Sequence, residues 1–254
     1  MGGDRERLAS RCGARYRSPM PLSRRAARLH RWLAALIGLQ LLAWLVGGLV
    51  MSALPIERVR GEHKVAERAV AFDPARLAPF EAAAAAAGAE RVASGRLIDV
   101  AGRPAWQVTS AEGVLVTVDA RTLARISPLG EAGALAVALA DYAGPGRPAD
   151  AVLLSEPPAE YGRPGPVWRV VFDDADRTAL YVDPTRAEVT ARRSRTWRVF
   201  DWAWRFHVMD WNDGEDFNHP LLVTAAGVSV AFALSGFVLL VARGRRAVAR
   251  RRAA

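Results

Sequence analysis

The sequence predicts an α+β membrane protein: two transmembrane helices flanking an extracytoplasmic domain of two repeats, each a helix followed by an antiparallel sheet. Three observations lead to this prediction. Two long uncharged apolar segments lie near the ends of the 254-residue chain, helical and β-rich segments alternate twice between them, and the excess positive charge is confined to the two ends.

The two apolar segments predict membrane-spanning helices at residues 32–54 and 220–242. Neither segment contains a charged residue. At a rise of about 1.5 Å per residue each helix would be roughly 33–35 Å long, enough to cross a hydrocarbon core of ~30 Å. The alternative is a buried helix of a soluble protein, but a helix of this length without charged residues is what a lipid bilayer requires.

The distribution of charge predicts the orientation. Residues 1–31 hold nine arginines against two acidic residues, and residues 243–254 hold six arginines and no acidic residue. Residues 55–219 hold 20 basic against 24 acidic residues. Because short basic flanks stay in the cytoplasm, we expect both tails inside and the 165-residue middle outside the cytoplasm. The net charge of +9 therefore reflects topology, and no nucleic-acid partner is predicted.

The N-terminal segment leaves alternatives open. A cleaved signal peptide also begins with basic residues, but its apolar core spans only about 7–15 residues, so an uncleaved anchor is favoured. Translation could start at Met1 or at Met20. The single cysteine, Cys12, lies in this segment, so the predicted extracytoplasmic domain folds without disulfides.

The region between the apolar segments divides into two halves of similar pattern. In residues 55–129, a helix capped by Asp73 is predicted over 72–90, followed by three short β-rich segments. In residues 130–196, a helix is predicted over 130–144, and three β-rich segments again follow. This recurrence predicts an internal repeat.

The two halves align at a tryptophan and an aspartate. Trp106 in AWQV matches Trp168 in VWRV, and Asp119 in VTVDARTLARI matches Asp183 in LYVDPTRAEVT. Each tryptophan alternates with polar neighbours, which predicts that it packs under a helix. An aspartate directly after a strand accepts backbone N–H bonds in an Asx-type turn, so both aspartates are predicted to be structural rather than catalytic.

These motifs resemble a known family. A helix followed by W-x-V, YVD and T-x-E-V resembles the PepSY domain, and its duplication between apolar helices is similar to the PepSY-associated membrane proteins. The resemblance covers about residues 24–242 and is most specific over 178–211. Repeats of this family usually end in Thr-Gly-Glu, whereas RTLAR and PTRAE lack the glycine, which leaves the tightness of this turn open.

The resemblance also implies a candidate cofactor. PepSY-associated membrane proteins include ferric-siderophore reductases that hold haem b between helical histidines, and His30 in HRW and His207 in FHVMD match such positions. His30 is expected at the cytoplasmic end of the first helix and His207 at the outer end of the second. Roughly 30 Å would separate them, so haem binding would need partner helices.

A second candidate site is a metal site at the outer membrane surface. His63, His207 and His219 are each expected close to a helix end, and Asp210 is nearby. Imidazoles and carboxylates together suit a divalent cation. The alternative is that these side chains hydrogen-bond to water, backbone and arginines without a metal.

Residues 197–219 predict an aromatic interfacial helix and a turn. Aromatic and apolar residues recur at helical spacing, and tryptophan is enriched where a membrane meets water. The tryptophans of this segment are the predicted interfacial anchors: Trp197, Trp202, Trp204 and Trp211.

The sequence shows no nucleophile elbow, zinc-protease helix, Walker loop or Rossmann fingerprint. The predicted function is therefore a non-enzymatic one, in which an inner-membrane PepSY protein displays a periplasmic interaction or regulatory domain to an unidentified envelope protein. The alternative is a haem-binding redox accessory of iron (ferric-siderophore) uptake, a ferric-reductase-like electron-transfer component that is iron-regulated. Small residues on both apolar segments would also permit a homodimer.

Overall fold

The computed structural model describes residues 22–68, 70–212, 216 and 218–253. These residues form two compact units: a helical unit within Met1–Ala43 and Asn218–Ala254, and a central domain within Trp44–Phe217. Cys12, both candidate start methionines and most of the predicted N-terminal tail lie outside the described residues.

Two long helices, α1 (Leu22–Ala53) and α6 (Pro220–Ala253), are apolar and long enough to cross a membrane. Only 11% of the most apolar stretch of each helix is buried. Most of the side chains therefore face outward, as those of lipid-facing residues do, whereas the core helix of a soluble fold would be mostly buried. Both helices extend through arginine-rich sequence beyond the predicted spans, because arginine and alanine are good helix formers and no proline interrupts them.

The central domain contains two antiparallel sheets, each preceded by a helix, and neighbouring strands are consecutive in the sequence. The predicted α+β fold class is therefore confirmed. The first half consists of α3 (Phe80–Ala87), β1 (Val92–Val100), β2 (Arg103–Ser110) and β3 (Leu115–Asp119). The second half consists of α4 (Glu131–Asp141), β4 (Pro148–Leu154), β5 (Val167–Phe172), β6 (Ala179–Asp183) and β7 (Glu188–Arg193).

The predicted extent of the helix over 72–90 is wrong. Asp73 caps a separate 3₁₀ turn, Pro74–Arg76, by accepting the N–H of Ala75 at 3.0 Å, and α3 begins only at Phe80. Pro79 explains the break, because a proline disfavours the helical region for the residue before it and has no N–H to donate.

The two predicted repeat tryptophans occupy matching positions in their sheets. Each pairs across the sheet with the residue that precedes the aspartate of the next strand. The indole of Trp106 donates to the carbonyl of Ala78 at 3.1 Å, and that of Trp168 to the carbonyl of Leu129 at 2.9 Å. Both acceptors lie two residues before a helix, so each indole ties its sheet to the entry of that helix. Origin of the halves by duplication stays a prediction.

The turns after β3 and β6 are Asx turns, as predicted. Asp119 and Asp183 each accept the N–H groups two and three residues ahead, at 2.8 and 2.9 Å. Four residues after each aspartate the backbone is left-handed, with φ 63° at Leu123 and φ 56° at Ala187. These are the positions where the related motif has glycine. The turns stay tight without it, at a cost of roughly 1–2 kcal/mol for each residue.

One hydrophobic core connects the two halves of the central domain. Val100 and Ala105 of the first sheet pack in the same cluster as Phe172 and Leu180 of the second, together with the buried face of α4. A smaller cluster lies between α3 and the first sheet. Because the two sheets share buried side chains, the central domain is one folding unit by its contacts rather than two separate modules.

Helix α5 (Arg195–Val208) follows β7 directly and starts two residues before the predicted aromatic segment. The buried Ser194 caps it, with its hydroxyl accepting the N–H of Trp197 at 3.1 Å. A short helix, α2 (Ile56–Arg60), packs against α5 within the central domain.

Candidate functional site

The central domain has an open cleft of about 750 Å³, which is within the size range of roughly 300–1,000 Å³ typical of ligand sites. We call it the arginine cleft, because arginines from three elements line it together with acidic and small apolar residues. Its arginines are Arg169, Arg177, Arg195 and Arg198.

Local structure explains how these arginines meet. Arg169 lies on β5 and Arg177 in the turn between β5 and β6, where its backbone is left-handed with φ 47°. Arg195 and Arg198 lie in the first turn of α5. The N–H of Arg195 donates to the carbonyl of Asp176 at 2.8 Å, so the start of this helix is held against the β5–β6 turn.

Glu160 pairs with one of the four guanidinium groups. Arg198 Nε donates to Glu160 Oε2 at 2.9 Å, and the hydroxyl of Tyr181 donates to Glu160 Oε1 at 2.6 Å. Burial alone would raise the pKa of Glu160, but the hydrogen bonds from Arg198 and Tyr181 outweigh it and lower the pKa. Burial and the same carboxylate raise the pKa of Tyr181. Glu160 is therefore ionised and its charge is neutralised.

Lys64 forms ion pairs with the other two acidic residues of the cleft. Its ammonium group donates to Asp174 Oδ2 at 2.7 Å, to Asp176 Oδ2 at 2.6 Å and to Thr178 Oγ1 at 3.0 Å. Burial alone would raise the pKa of Asp174, but hydrogen bonds from Lys64, Thr178 and Tyr142 lower it to about 2. For Lys64, burial alone would lower the pKa, and the hydrogen bonds to the two aspartates reverse this and raise it.

The cleft consequently offers guanidinium groups to an outside anion. Arg169 Nε is buried and has no hydrogen-bond partner among the residues that the structure describes. Arg177 and Arg195 are exposed at the cleft. Guanidinium groups form paired, charge-assisted hydrogen bonds with carboxylates and phosphates, so this arrangement can bind an acidic group.

His30, a predicted haem ligand, packs between α1 and α6 in the helical unit. Its ring stacks on Phe232 with centroids 4.4 Å apart, and its Nδ1 lies 2.9 Å from Ser235 Oγ. A Cβ atom added at Gly236 would lie 3.1 Å from the ring, so glycine lets the ring approach α6 closely. His30 therefore has a helix-packing role, with one ring nitrogen already bonded.

His207, the other predicted haem ligand, lies near the end of α5 with its ring 6.1 Å from that of Trp44. His207 Nδ1 and Trp44 Nε1 are both buried without a hydrogen-bond partner in the described part of the chain. A buried polar atom without a hydrogen bond lowers the stability of the fold by about 1–3 kcal/mol. A ligand or water that hydrogen-bonds to these two atoms would therefore be stabilising.

A haem fits these residues only in part. His207 has the available nitrogen that an axial ligand needs, whereas His30 is held by Ser235 and Phe232. Haem binding by His30 and His207 stays a prediction.

The predicted metal ligands have other contacts. Asp210 accepts the N–H groups two and six residues ahead, at 3.1 and 3.2 Å, and His219 Nδ1 accepts the N–H of Leu222 at the start of α6. His63 is exposed in a 3₁₀ turn. Within the described ranges no group of three or more His, Cys, Asp or Glu side chains could hold a metal ion. These contacts favour the structural alternative for Asp210 and His219.

The predicted anchor tryptophans divide by exposure. Trp202 and Trp211 are 61% and 53% exposed, whereas Trp197 and Trp204 are half-buried. Phe206 contacts both exposed indoles, with centroids 6.1 and 4.7 Å away, and we call these three residues the aromatic patch. Trp197 instead lies 4.2 Å beneath the guanidinium of Arg193. The exposed pair are therefore the stronger candidates for membrane contact, which stays a prediction.

Sequence reasoning missed the arginine cleft. Its residues are spread from Glu160 to Arg198 and include no spaced motif, and arginine is too common in this chain for one more cluster to stand out. The only local signal is Arg195 and Arg198 at helical spacing directly after a strand. The meeting with Arg169 and Arg177 depends on strand pairing.

Comparison with known proteins gives one match. The family model for the PepSY-associated TM region matches residues 27–254. No curated protein and no solved structure matches significantly. The match covers the central domain, α6 and all of α1 from residue 27 onward, as the sequence resemblance implied.

Proposed function

Because this chain belongs to the family of the PepSY-associated TM region, we propose that it is a membrane-anchored binding protein with a non-enzymatic, regulatory role. In this proposal the central domain lies in the periplasm, held to the bacterial inner membrane by α1 and α6. It binds an acidic segment of an envelope protein in the arginine cleft.

The proposed orientation is supported by charge and by the helical unit. The fifteen arginines of residues 1–31 and 243–254 contrast with the acidic excess of residues 55–219. Residues from the start of α1 and from the second half of α6 line one cavity, so the arginines of these two described stretches lie on the same side of the helical unit. Basic flanks of this kind remain in the cytoplasm, and we infer from this rule that the central domain is periplasmic.

The single observation that carries the binding proposal is the excess of unpaired cationic groups at the arginine cleft. Glu160, Asp174 and Asp176 already have cationic partners, so the positive charge of Arg177 and Arg195 is available to a ligand. Arg169 lies 3.8 Å from Asp150, but its buried Nε has no hydrogen-bond partner among the described residues. Arginine clusters are a recurring means of recognising acidic or phosphorylated motifs. Small apolar residues on the wall, such as Val171, would contact the stem of an extended peptide.

The test uses the purified full-length chain in detergent and a fluorescent oligoglutamate peptide, with binding measured by anisotropy. We expect saturable binding that weakens as salt is raised. The double substitution R177Q/R195Q removes two exposed arginines of the cleft without removing a buried group. It should weaken binding by about tenfold or more, since hydrogen bonds between charged groups contribute roughly 1.5–3 kcal/mol each.

The matched control is R91Q/R121Q, which removes the same charge from exposed positions outside the cleft. It should leave the affinity within about twofold of the wild type, since exposed charges away from a site contribute little. Equal losses in the two double variants would show that the peptide follows net charge and would contradict the proposal. So would absence of saturable binding by the wild-type chain.

A second candidate function is a haem-binding redox accessory of ferric-siderophore uptake, and the observation that favours it is the unpartnered His207 Nδ1. Purified protein from haem-replete cells would then show a Soret band and sharpened α/β bands after reduction. H207A should abolish these bands, whereas H63A, at an exposed histidine of the central domain, should not. A colourless wild-type protein would contradict this candidate and leave the peptide-binding proposal untouched.

A further inference from the structure

A cavity of about 610 Å³ opens between the two long helices at their basic ends. It lies entirely within the helical unit and is separate from the arginine cleft of the central domain. Each helix contributes two arginines to its lining: Arg24 and Arg31 from α1, Arg243 and Arg246 from α6.

The side of the cavity towards the middle of α6 is apolar. Gly236, Leu239 and Leu240 line it, and Leu240 is 68% exposed on the outer surface of the helix. His30 lies between the basic and apolar parts, fixed by its stack on Phe232 and its contact with Ser235. The cavity thus places a cationic rim directly beside an apolar wall that continues along a membrane-spanning helix.

We propose that this cavity binds the phosphate group of an anionic membrane phospholipid, with the lipid's acyl chains along the apolar wall. Basic pockets between transmembrane helices suit such headgroups, because arginine forks pair with phosphate oxygens while hydrocarbon covers adjacent leucines. This inference goes beyond the proposed function and does not depend on it, since no residue of the central domain takes part.

The apolar wall distinguishes a lipid from a soluble phosphate. A free phosphate ion would bind at the arginine rim and leave Leu239 and Leu240 uncovered. A phospholipid satisfies both parts at once, and it is already concentrated at the depth where an apolar helix becomes arginine-rich. The site should therefore favour phosphatidylglycerol over phosphatidylcholine, whose choline group adds a positive charge.

The experiment titrates the delipidated full-length chain in detergent with phosphatidylglycerol, and bound lipid is counted by native mass spectrometry. Phosphatidylcholine and inorganic phosphate are the parallel titrants. R31Q/R243Q, which removes one arginine from each helix, should weaken phosphatidylglycerol binding by about tenfold or more, since each arginine at a membrane surface is worth about fivefold. Circular dichroism of the variant checks that its helices form.

The matched control is R250Q/R251Q, which removes the same charge from exposed positions near the end of α6, outside the cavity. It should keep near-wild-type affinity. Three outcomes would overturn the proposal: equal loss in both variants, equal binding of phosphatidylcholine, or displacement of the lipid by inorganic phosphate at comparable concentration. The last outcome would identify a soluble phosphate site instead.

Discussion

At the scale of single residues, Asp174 shows how one buried carboxylate organises a region. Its side chain is only 2% exposed, and it accepts hydrogen bonds from Lys64, Tyr142 and Thr178. Its other oxygen accepts the N–H of Thr178 at 2.7 Å and so closes the turn that carries Arg177. The lowered pKa of Asp174 is explained by a structural role, because every partner of the carboxylate stabilises its charged form.

We predict that D174N lowers the free energy of unfolding by about 3 kcal/mol, because it leaves the nearly buried Lys64 with one carboxylate fewer. Denaturant unfolding of the full-length chain in detergent, followed by tryptophan fluorescence, measures this. D150N is the control. Its carboxylate is 50% exposed and 3.8 Å from Arg169, so it should change stability by less than about 1 kcal/mol. Similar effects of the two substitutions would contradict the argument.

The depressed pKa of Asp174 also predicts the acid dependence of stability. The pKa is about 2 in the folded chain and about 3.8 in the unfolded chain. The ionised Asp174 therefore contributes about 2 kcal/mol to the free energy of unfolding. This contribution is complete above pH ~4 and is lost as the pH falls towards ~2. Unfolding measured across this range should show a loss of that size in the wild type and a smaller one in D174N. Parallel curves would contradict the assignment.

The left-handed Ala187 predicts a second residue-scale result. Ala187 is 1% exposed with φ 56°, so a β-branched side chain would meet both a disfavoured backbone and a filled core. A187V should lower the free energy of unfolding by about 2 kcal/mol or more. A187G should change it by less than about 1 kcal/mol, because relief of strain offsets the lost methyl group and the added chain entropy. Equal effects in thermal unfolding would contradict this account.

At the scale of elements, α5 combines two roles at different points along its length. Its first turn contributes Arg195 and Arg198 to the arginine cleft, and its later turns carry the exposed aromatic patch of Trp202, Phe206 and Trp211. The buried cap at Ser194 sets the position of both, because the helix starts where that hydroxyl accepts an N–H. A ligand in the cleft and a membrane at the patch would therefore act on one rigid helix.

The exposure of the aromatic patch predicts where lipid meets α5. In vesicles of lipid brominated near the headgroup, tryptophan fluorescence of the full chain should be quenched, because interfacial indoles lie at that depth. W202S/W211S should remove much of this quenching. W106F, at a half-buried indole bonded to Ala78, should leave it unchanged and serves as control. Loss of quenching in neither variant would contradict contact between the patch and lipid.

At the scale of the whole molecule, the chain is a membrane protein of the PepSY-associated family in which two apolar helices flank an α+β domain. The arrangement assigns different chemistry to each unit. The helical unit concentrates arginine at one end, and the central domain neutralises most of its buried charge in ion pairs such as Lys64–Asp174. Each unit therefore carries one candidate site of its own, the cavity between the two helices and the arginine cleft.

The charge asymmetry predicts the topology in living cells. A membrane-impermeant maleimide should label C12S/E112C in intact bacterial spheroplasts, because Glu112 lies in the exposed β2–β3 turn of the central domain. The wild-type chain, whose single cysteine is Cys12, should be labelled only after permeabilisation. The opposite pattern would contradict the proposed orientation.

The structure agrees with the sequence where local properties decide. Transfer of an uncharged apolar helix into lipid depends on residue content alone, so both spans could be predicted from composition. The Asx turns at Asp119 and Asp183 depend on a side chain bonding to its own neighbouring backbone, and they too could be predicted. The break in the helix over 72–90 was equally local, but the alanine run concealed the effect of Pro79.

By itself, the sequence determined that this protein has two membrane helices around an α+β domain, where its turns lie and which ends carry the positive charge. Only the tertiary structure decided that Arg169 and Arg195 share a cleft and that His30 packs on Phe232. It also decided that His207 Nδ1 has no hydrogen-bond partner among the described residues. The physical reason is the distance along the chain over which each interaction acts. Apolarity, capping and charge act within a few residues, whereas a binding site depends on strand pairing and helix packing between residues far apart in the chain.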